Sequence, residues 1–500
     1  MTILGIDIIN IFIFSPLAGF LLLLLVKDGS EKLIKWSAFF FTLLSLVAGL
    51  TIYFFYDPSF AAFQFTVKKT WIPSLGINYH VGLDGLSLML SLLTAFIMPI
   101  AVLSSFDFIK KSSKYYYAWL LLLETSVLGV FTSMDMFLFY IFWEAMLIPM
   151  YFLIGIWGGE RRIYATLKFF IYTMAASLFM LVAIIIFFLT LRSQTGISSF
   201  SVEDFYRISL GGKAAMFCFF SFLLAFAVKV PLFPLHTWLP DAHVEAPTAA
   251  SVILAGVLLK MGVYGYLRFM VPFFPELSVR FAPYIAALAT VGVIYASLAA
   301  WIQKDLKKLI AYSSVAHMGL IVLGILSFDK TAVSGAILQM LNHGLSTGAL
   351  FLLVGVIYER RHTRMLDDYG GLFKVMPYFA FFFMIATLSS IGLPGLNGFV
   401  GEFLIFTGSF RVYPLLTTLC VSGVILSALY MLTAYEKLFY GPLGKNENAI
   451  LKDINAREWA YLLPIVVFMF YIGLYPAPFL NKADKSVDSY LSHILTGERK

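Results

Sequence analysis

Eight ionisable side chains lie within the long apolar stretches of this 500-residue chain: Glu124, Glu144, Lys168, Lys229, Lys260, His317, His343 and Glu402. Carboxylates, lysines and imidazoles take up and release single protons, so together they could form a proton relay. A charge at the centre of a membrane helix costs roughly 2.5–3.5 kcal/mol on insertion scales. Several such costs in one chain argue for a purpose. Glu144, Lys229 and Lys260 are flanked by apolar residues on both sides, in FYIFWEAMLIPM, LLAFAVKVPLFP and LAGVLLKMGVYG, too deep to snorkel. Burial disfavours charge on a lysine and a nearby carboxylate favours it, so a lysine between the two can load and release a proton as its partner moves. If Glu144 approaches Lys229, the lysine keeps its proton; if Glu144 withdraws, the proton can pass on. His317 and His343 follow small polar clusters, AYSSVAHMG and QMLNHGLSTG, that could hold water or simply satisfy a core histidine. Glu124, Lys168 and His236 are secondary candidates. Glu124 also reads as a structural carboxyl bonded to a neighbouring helix, and Lys168 as a residue snorkelling to the interface.

Positioning these groups requires a membrane scaffold. The chain is 60% hydrophobic, 17% aromatic and 13% charged, with a mean hydropathy of +0.88. A soluble protein is nearer half apolar and a quarter charged. The composition excludes a cytosolic enzyme, a secreted disulfide scaffold and a disordered chain. The apolar runs reach the twenty or so residues a spanning helix needs, which excludes a barrel of short alternating strands. Cys218 and Cys420 sit within apolar runs and suggest neither a disulfide framework nor a metal site. The first apolar run lacks a basic leader and a cleavage site and reads as a retained helix.

The reading is an all-α polytopic membrane protein with about fourteen transmembrane helices. The spans fall near 8–26, 33–55, 84–108, 115–132, 134–157, 163–191, 214–238, 247–270, 281–301, 308–327, 331–358, 376–409, 413–440 and 458–479. The two long ones, 163–191 and 376–409, need tilt or a break. Of 35 Lys and Arg, nineteen lie in connections after odd-numbered spans and thirteen on the other side with the termini. The positive-inside rule then places both termini on the outer side. Segment 59–80 alternates like a hairpin and belongs on the outer face.

Two helices should be broken. Pro231 and Pro234 follow Lys229 and should free the carbonyls of Ala227 and Val230. In SSIGLPGLNGFVGEFLIF, Pro394 should free the carbonyl of Ser390, with four glycines loosening the rest. Helices 4–8 and 9–13 form two five-helix sets, each with its break in the fourth helix, the pattern of inverted repeats around ion sites in transporters. The organisation is 1–112, helices 1–3 with the hairpin; 113–270, the first repeat; 281–440, the second; and 441–500, the last helix and a C-terminal tail. Dinucleotide-binding and nucleoside-triphosphate loops are missing, as is a cysteine set for an iron–sulfur cluster. The energy for any pumping must come from a gradient or from partner subunits.

The stretches FYIFWEAMLIPMYFLIGIWGG, VKVPLFPLHTWLPDAHVEAPTAASVILAGVLLKMGVYG, KKLIAYSSVAHMGL and GLPGLNGFVGEFLIF resemble the proton-translocating, antiporter-like membrane subunits of respiratory complex I, over essentially the whole chain. The resemblance implies that Glu144 and Lys229 act as a coupled pair, with Lys260 as the central relay. His317 and His343 would continue the path, and Glu402 would end it towards the exit. It implies a place among other membrane-arm subunits of an NADH-quinone oxidoreductase in an energy-transducing membrane, the bacterial inner membrane. It also implies no cofactor in this chain, with flavin, iron–sulfur clusters and quinone in partner subunits. Related cation/proton antiporters of the Mrp type and the sister subunits carry lysine where Glu402 stands. Membrane-bound hydrogenases hold homologous subunits and are a further alternative.

Overall fold

The computed structural model describes residues 1–495 apart from Leu4 and Gly444. Apolar runs of 18 residues or more fold as helices because only a helix satisfies every backbone donor and acceptor inside its own segment. The helices are α1 (Ile8–Leu25), α2 (Glu31–Phe55), α3 (Gly85–Ser104), α4 (Ser113–Thr132), α5 (Met136–Ala145) with α6 (Leu147–Trp157), and α7 (Arg162–Thr195). They continue with α8 (Val202–Arg207), α9 (Gly212–Lys229), α10 (Trp238–Glu245), α11 (Thr248–Phe273), α12 (Pro275–Trp301), α13 (Leu306–Leu326) and α14 (Lys330–Arg361). Then come α15 (Pro377–Ser390), α16 (Asn397–Val412), α17 (Pro414–Phe439), α18 (Ala456–Leu474) and α19 (Ala477–Leu495).

Twelve helices among the described residues are long and apolar enough to cross a membrane. Two of the fourteen expected spans fall outside that measure. Helix α4 has 20 residues, but three consecutive tyrosines and Glu124 lower its hydropathy. The expected span 376–409 is divided into α15 and α16. By contrast, the other long span is one unbroken helix of 34 residues, α7. At 1.5 Å per residue it is about 51 Å long, well over the hydrocarbon thickness, so it tilts or extends past it.

Helix starts follow the sequence closely. Asp84, Asp135, Asp305 and Asp329 each accept two backbone N–H bonds at the first turn of α3, α5, α13 and α14. Each such cap contributes about 1 kcal/mol. Four helices form the interior: α3, α11, α13 and α14 are almost wholly buried, whereas α1, α2, α7 and α17 leave half or more of their apolar face outward. Three of the interior helices carry Lys260, His317 and His343.

The segment 59–80 forms the expected hairpin. β1 (Gln64–Ile72) pairs antiparallel with β2 (Ile77–Leu83), with Val67 opposite Val81 and Ile72 opposite Ile77. The hairpin leads into Asp84, whose carboxylate also lies 2.5 Å from Arg268 of α11.

The C-terminal tail is corrected by the structure. The last span ends at Leu474, and the following residues up to Leu495 fold as a second helix, α19. Its Ala483, Val487, Tyr490, Leu491 and Ile494 recur every three or four residues and are buried. Ser486 accepts the Gly85 N–H at 3.0 Å, fixing α19 to the start of α3 on the hairpin side of the molecule.

Candidate functional site

Lys260 stands on α11 between two π-helical turns, Leu254–Leu258 and Tyr266–Met270. Such turns widen a helix and recur at functional sites. The Lys260 ammonium donates to the Ala255 carbonyl of the first turn and lies 2.7 Å from His343 Nδ1. A charged lysine has only donors, so His343 accepts on Nδ1 and carries its hydrogen on Nε2. That nitrogen is buried and has no hydrogen-bond partner among the described residues.

The imidazole of His343 faces that of His317, with ring centroids 5.5 Å apart. His317 Nδ1 is 2.9 Å from the Ser313 carbonyl and Nε2 is 2.9 Å from the Ser390 carbonyl. Two carbonyl acceptors call for two N–H donors, and only the imidazolium has both. Glu402 Oε1, 3.5 Å from Nε2, supplies the compensating charge. The second acceptor is the carbonyl that Pro394 was expected to free, so the break in this half creates a binding partner for His317.

Glu402 begins in the first turns of α16 and receives the Gln339 side-chain amide at 3.2 Å. Gln339 and Asn342 are linked at 3.3 Å, and Asn342 donates to the Asn397 carbonyl at 2.7 Å. Beside His317 and Glu402 lies a small cavity of about 20 Å³, lined also by Ser297, Cys420, Ser427 and Tyr430. That is room for one water molecule.

Gly392 makes this arrangement possible. Its φ is +75°, and a Cβ there would sit 2.7 Å from Glu402 Oε2. Gly392→Ala is expected to cost roughly 1–2 kcal/mol in backbone strain and to push the carboxylate off His317. Its effect on proton-coupled activity should exceed its effect on the melting temperature; equal wild-type activity would show that the close approach is unimportant.

Lys260, His343, His317 and Glu402 therefore stand in one row, in which the two imidazoles, 5.5 Å apart, share no hydrogen bond among the described residues. The first break is different. Helix α9 ends at Lys229, as expected, but the Ala227 carbonyl is not left free: Leu232 N–H takes it at 2.8 Å, and Trp238 Nε1 takes Val228 O at 2.9 Å. The Lys229 ammonium is buried against Met146 Sδ at 3.4 Å, with the rings of Phe169 and Trp143 at 5.5 and 5.6 Å. Among the described residues no ion pair within 4 Å joins Lys229 to Glu144, as in the withdrawn arrangement of the pair. Glu144 is only partly buried and lies beside the Ser177 and Tyr140 hydroxyls, on the face towards α7. The pair interacts through space without touching.

The secondary candidates stand apart from the line. Lys168 does not snorkel freely but pairs with Asp241 of α10 at 2.7 Å. His236 is buried between Phe233 and Tyr295. Glu124 is fully buried, and neither of its oxygens has a hydrogen-bond partner. Ser45, which lies nearest, donates instead to the Phe12 carbonyl at 2.9 Å.

Sequence reasoning missed one histidine. His243 of α10 is fully buried, stacked on Phe351 at 4.5 Å, with both ring nitrogens unpartnered. It is near enough to Lys307 and Lys260 to feel the charge of both. Lys307 donates to Ala246 O at 2.5 Å and lines a polar cavity of about 140 Å³ with Glu245, Tyr358 and Arg364, on the side of the basic connections. His243 lies outside the long apolar runs, so a search for charges within spans passes over it. Its signal was the dense polar run PDAHVEAPT. Among the described residues, no cluster of three or more His, Cys, Asp or Glu could hold a metal ion.

A many-helix membrane bundle with a line of titratable groups across its buried centre defines an ion-translocating membrane subunit of the antiporter-like class. Residues 133–429 match the family described as NADH:quinone oxidoreductase/Mrp antiporter, TM, and the chain belongs to it. It is 43% identical to NADH-quinone oxidoreductase subunit M of Rickettsia conorii, over 98% of this chain and 99% of that one. It is 41% identical to NADH-ubiquinone oxidoreductase chain 4 of Arabidopsis thaliana, over 96% of each. A chain in the structure of respiratory complex I from Thermus thermophilus with bound NADH superimposes with a TM-score of 0.87 at 32% identity, covering 97% of this chain and 99% of that one.

Proposed function

We propose that the chain is a membrane-arm subunit of an NADH-quinone oxidoreductase that translocates protons, driven by quinone reduction elsewhere in the complex. The observation that carries the residue-level reading is the row Lys260–His343–His317–Glu402, with its first three members on the buried helices α11, α14 and α13 and the last on α16. Uptake begins in the polar cavity at Glu245 and Lys307 and reaches Lys260 through His243. Lys260 gives its proton from Nζ to Nδ1 of His343, and His343 releases the other from Nε2 towards His317. To offer a lone pair for that proton, the His317 imidazolium first hands its own Nε2 proton to Glu402, which discharges it outwards, and the emptied Nε2 is then reloaded from His343.

Lys229 and Glu144 set the timing. The Lys229 ammonium feels the charge of Glu144, and Glu144, partly buried beside the Ser177 and Tyr140 hydroxyls, is the member of the pair that responds to motion of α7 or of a neighbouring subunit. Motion of a single carboxylate changes the Coulomb energy at Lys229 by a kcal/mol or so, equivalent to about one pH unit in its proton affinity. The two broken helices then belong to two five-helix repeats of opposite orientation. Flavin, iron–sulfur clusters and quinone are assigned to partner subunits, the membrane to an energy-transducing bacterial one, and both termini to its outer side.

A cation/proton antiporter of the Mrp type is the second reading, because the family includes both. A glutamate at 402, held by His317, favours the oxidoreductase. Glu144→Ala and Lys229→Ala are expected to abolish quinone reductase activity linked to pumping while leaving the complex assembled, as judged by native electrophoresis. Full coupled activity in both would remove the pair from the mechanism. Sodium-dependent proton exchange without any redox partner would favour the antiporter.

A further inference from the structure

An apolar cleft of about 260 Å³ opens between α2, α3, α14 and α18, and none of its lining residues lines the polar cavities. Its walls are carbon: Leu93, Phe96, Leu341, Leu345 and Phe468 lie within it, with Phe479 of α19 at one end. Phe54 and Tyr471, also part of the lining, are well exposed on the outside of the chain, so the cleft opens sideways onto the lipid-facing surface. Water has no polar partners there, and an empty cleft forfeits the dispersion contacts of its lining. What fills it must be apolar and reach it through the bilayer.

One end carries charge of the right sign. Tyr53 lines the cleft, and the Lys482 ammonium sits over the Tyr53 and Tyr56 rings at 5.1 and 5.4 Å. It caps α2 by donating to the Tyr53 and Tyr56 carbonyls at 3.2 and 2.7 Å, which uses two of its three hydrogens. A tyrosine and a lysine above an apolar slot are the features with which proteins hold a lipid at the membrane interface. We infer that this cleft binds one phospholipid of the leaflet on the hairpin side, with an acyl chain along Leu93 and Leu345 and a phosphate oxygen on Lys482.

The site adjoins the relay. Leu341 and Leu345 flank His343 on α14, and Leu93 is wedged against Gly344, where a Cβ would lie 2.7 Å from its Cδ2. One layer of side chains separates the cleft from the Lys260–His343 pair. A resident acyl chain thickens that wall and keeps water from reaching the pair sideways. Binding itself does not depend on the proton-transfer reading.

The test uses the assembled complex in lipid nanodiscs containing phosphatidylglycerol with a photoactivatable diazirine midway along one acyl chain. Adducts are mapped by peptide mass spectrometry. The expected result is labelling of the peptides containing Leu341, Leu345 and Phe468 well above that of Ile171 and Leu178, which are exposed on the open face of α7. Leu345→Trp, which fills the cleft, should bring cleft labelling down to that of α7 and leave α7 unchanged. A diacylglycerol with the same photoactive chain but no phosphate should label roughly tenfold less, as expected for one lost charge-assisted hydrogen bond. Cleft labelling no higher than α7, or unaltered by Leu345→Trp, would overturn the site. Equal labelling by the phosphate-free probe would overturn the role of Lys482.

Discussion

Lys260→Met is expected to lower proton-coupled quinone reductase activity by on the order of 10²-fold, the lower end of what a positioned proton-transfer group contributes. The lysine is fully buried and bridges the Ala255 carbonyl and His343. Methionine has a similar volume and no charge, and exchanging a buried charged group for an apolar one of that size is often neutral or stabilising. The complex should therefore assemble, and NADH oxidation by an artificial acceptor that bypasses quinone should be unchanged. Lys260→Arg separates charge from titration. The guanidinium keeps the positive charge but does not release its proton, so it should be as inactive as methionine. If the arginine variant retained activity, Lys260 would serve only as a fixed charge.

Glu402→Gln is expected to produce a loss of the same order, about 10²-fold, for a different reason. Glutamine keeps the shape and can still accept from Gln339, which now donates at 3.2 Å. It cannot take the proton from His317, and it leaves the imidazolium without its counter-charge at 3.5 Å. Glu402→Asp retains a titratable carboxylate at a longer reach and should recover part of the rate. The discriminating readout is infrared difference spectroscopy during turnover: a carboxylic acid band should appear in the wild type and vanish in Glu402→Gln. A band that survives the substitution would move the terminal acceptor to another carboxyl, with Glu124 the first alternative, because it is buried and its oxygens have no hydrogen-bond partner among the described residues.

Much of this site is legible in the sequence because each member is an expensive residue in a cheap background. Lys260, His317, His343 and Glu402 stand out in apolar helices, and the proline and glycines of SSIGLPGLNGFVG mark the break beside them. Their order is not legible. Lys260 and His343 are 83 residues apart, and His317 meets the Ser390 carbonyl 73 residues on; only helix packing brings them together. The same limit explains Glu144 and Lys229. Both read as deep charges of opposite sign, yet a sulfur atom and two aromatic faces surround the lysine while the carboxylate lies beside the Ser177 and Tyr140 hydroxyls. Gln339 and Asn342 were legible only as part of a polar cluster without assigned partners, and His243 went unnoticed because an imidazole in a short polar helix costs too little to stand out. Hydropathy also divides α18 from α19 poorly: Pro476 marks the join, but the amphipathic repeat after it is short and bears four charged residues.

The measurement that bears most directly on the central claim is the number of protons moved per quinone reduced, in vesicles containing the intact complex. It should be made for the wild type and for Lys260→Met during the residual turnover of the variant. If this chain carries protons through Lys260, the variant's remaining electron transfer moves fewer protons per quinone, or stops when the pathway cannot be bypassed. If the variant reduces quinone at the wild-type rate with an undiminished proton ratio, the line from Lys260 to Glu402 is not a proton path.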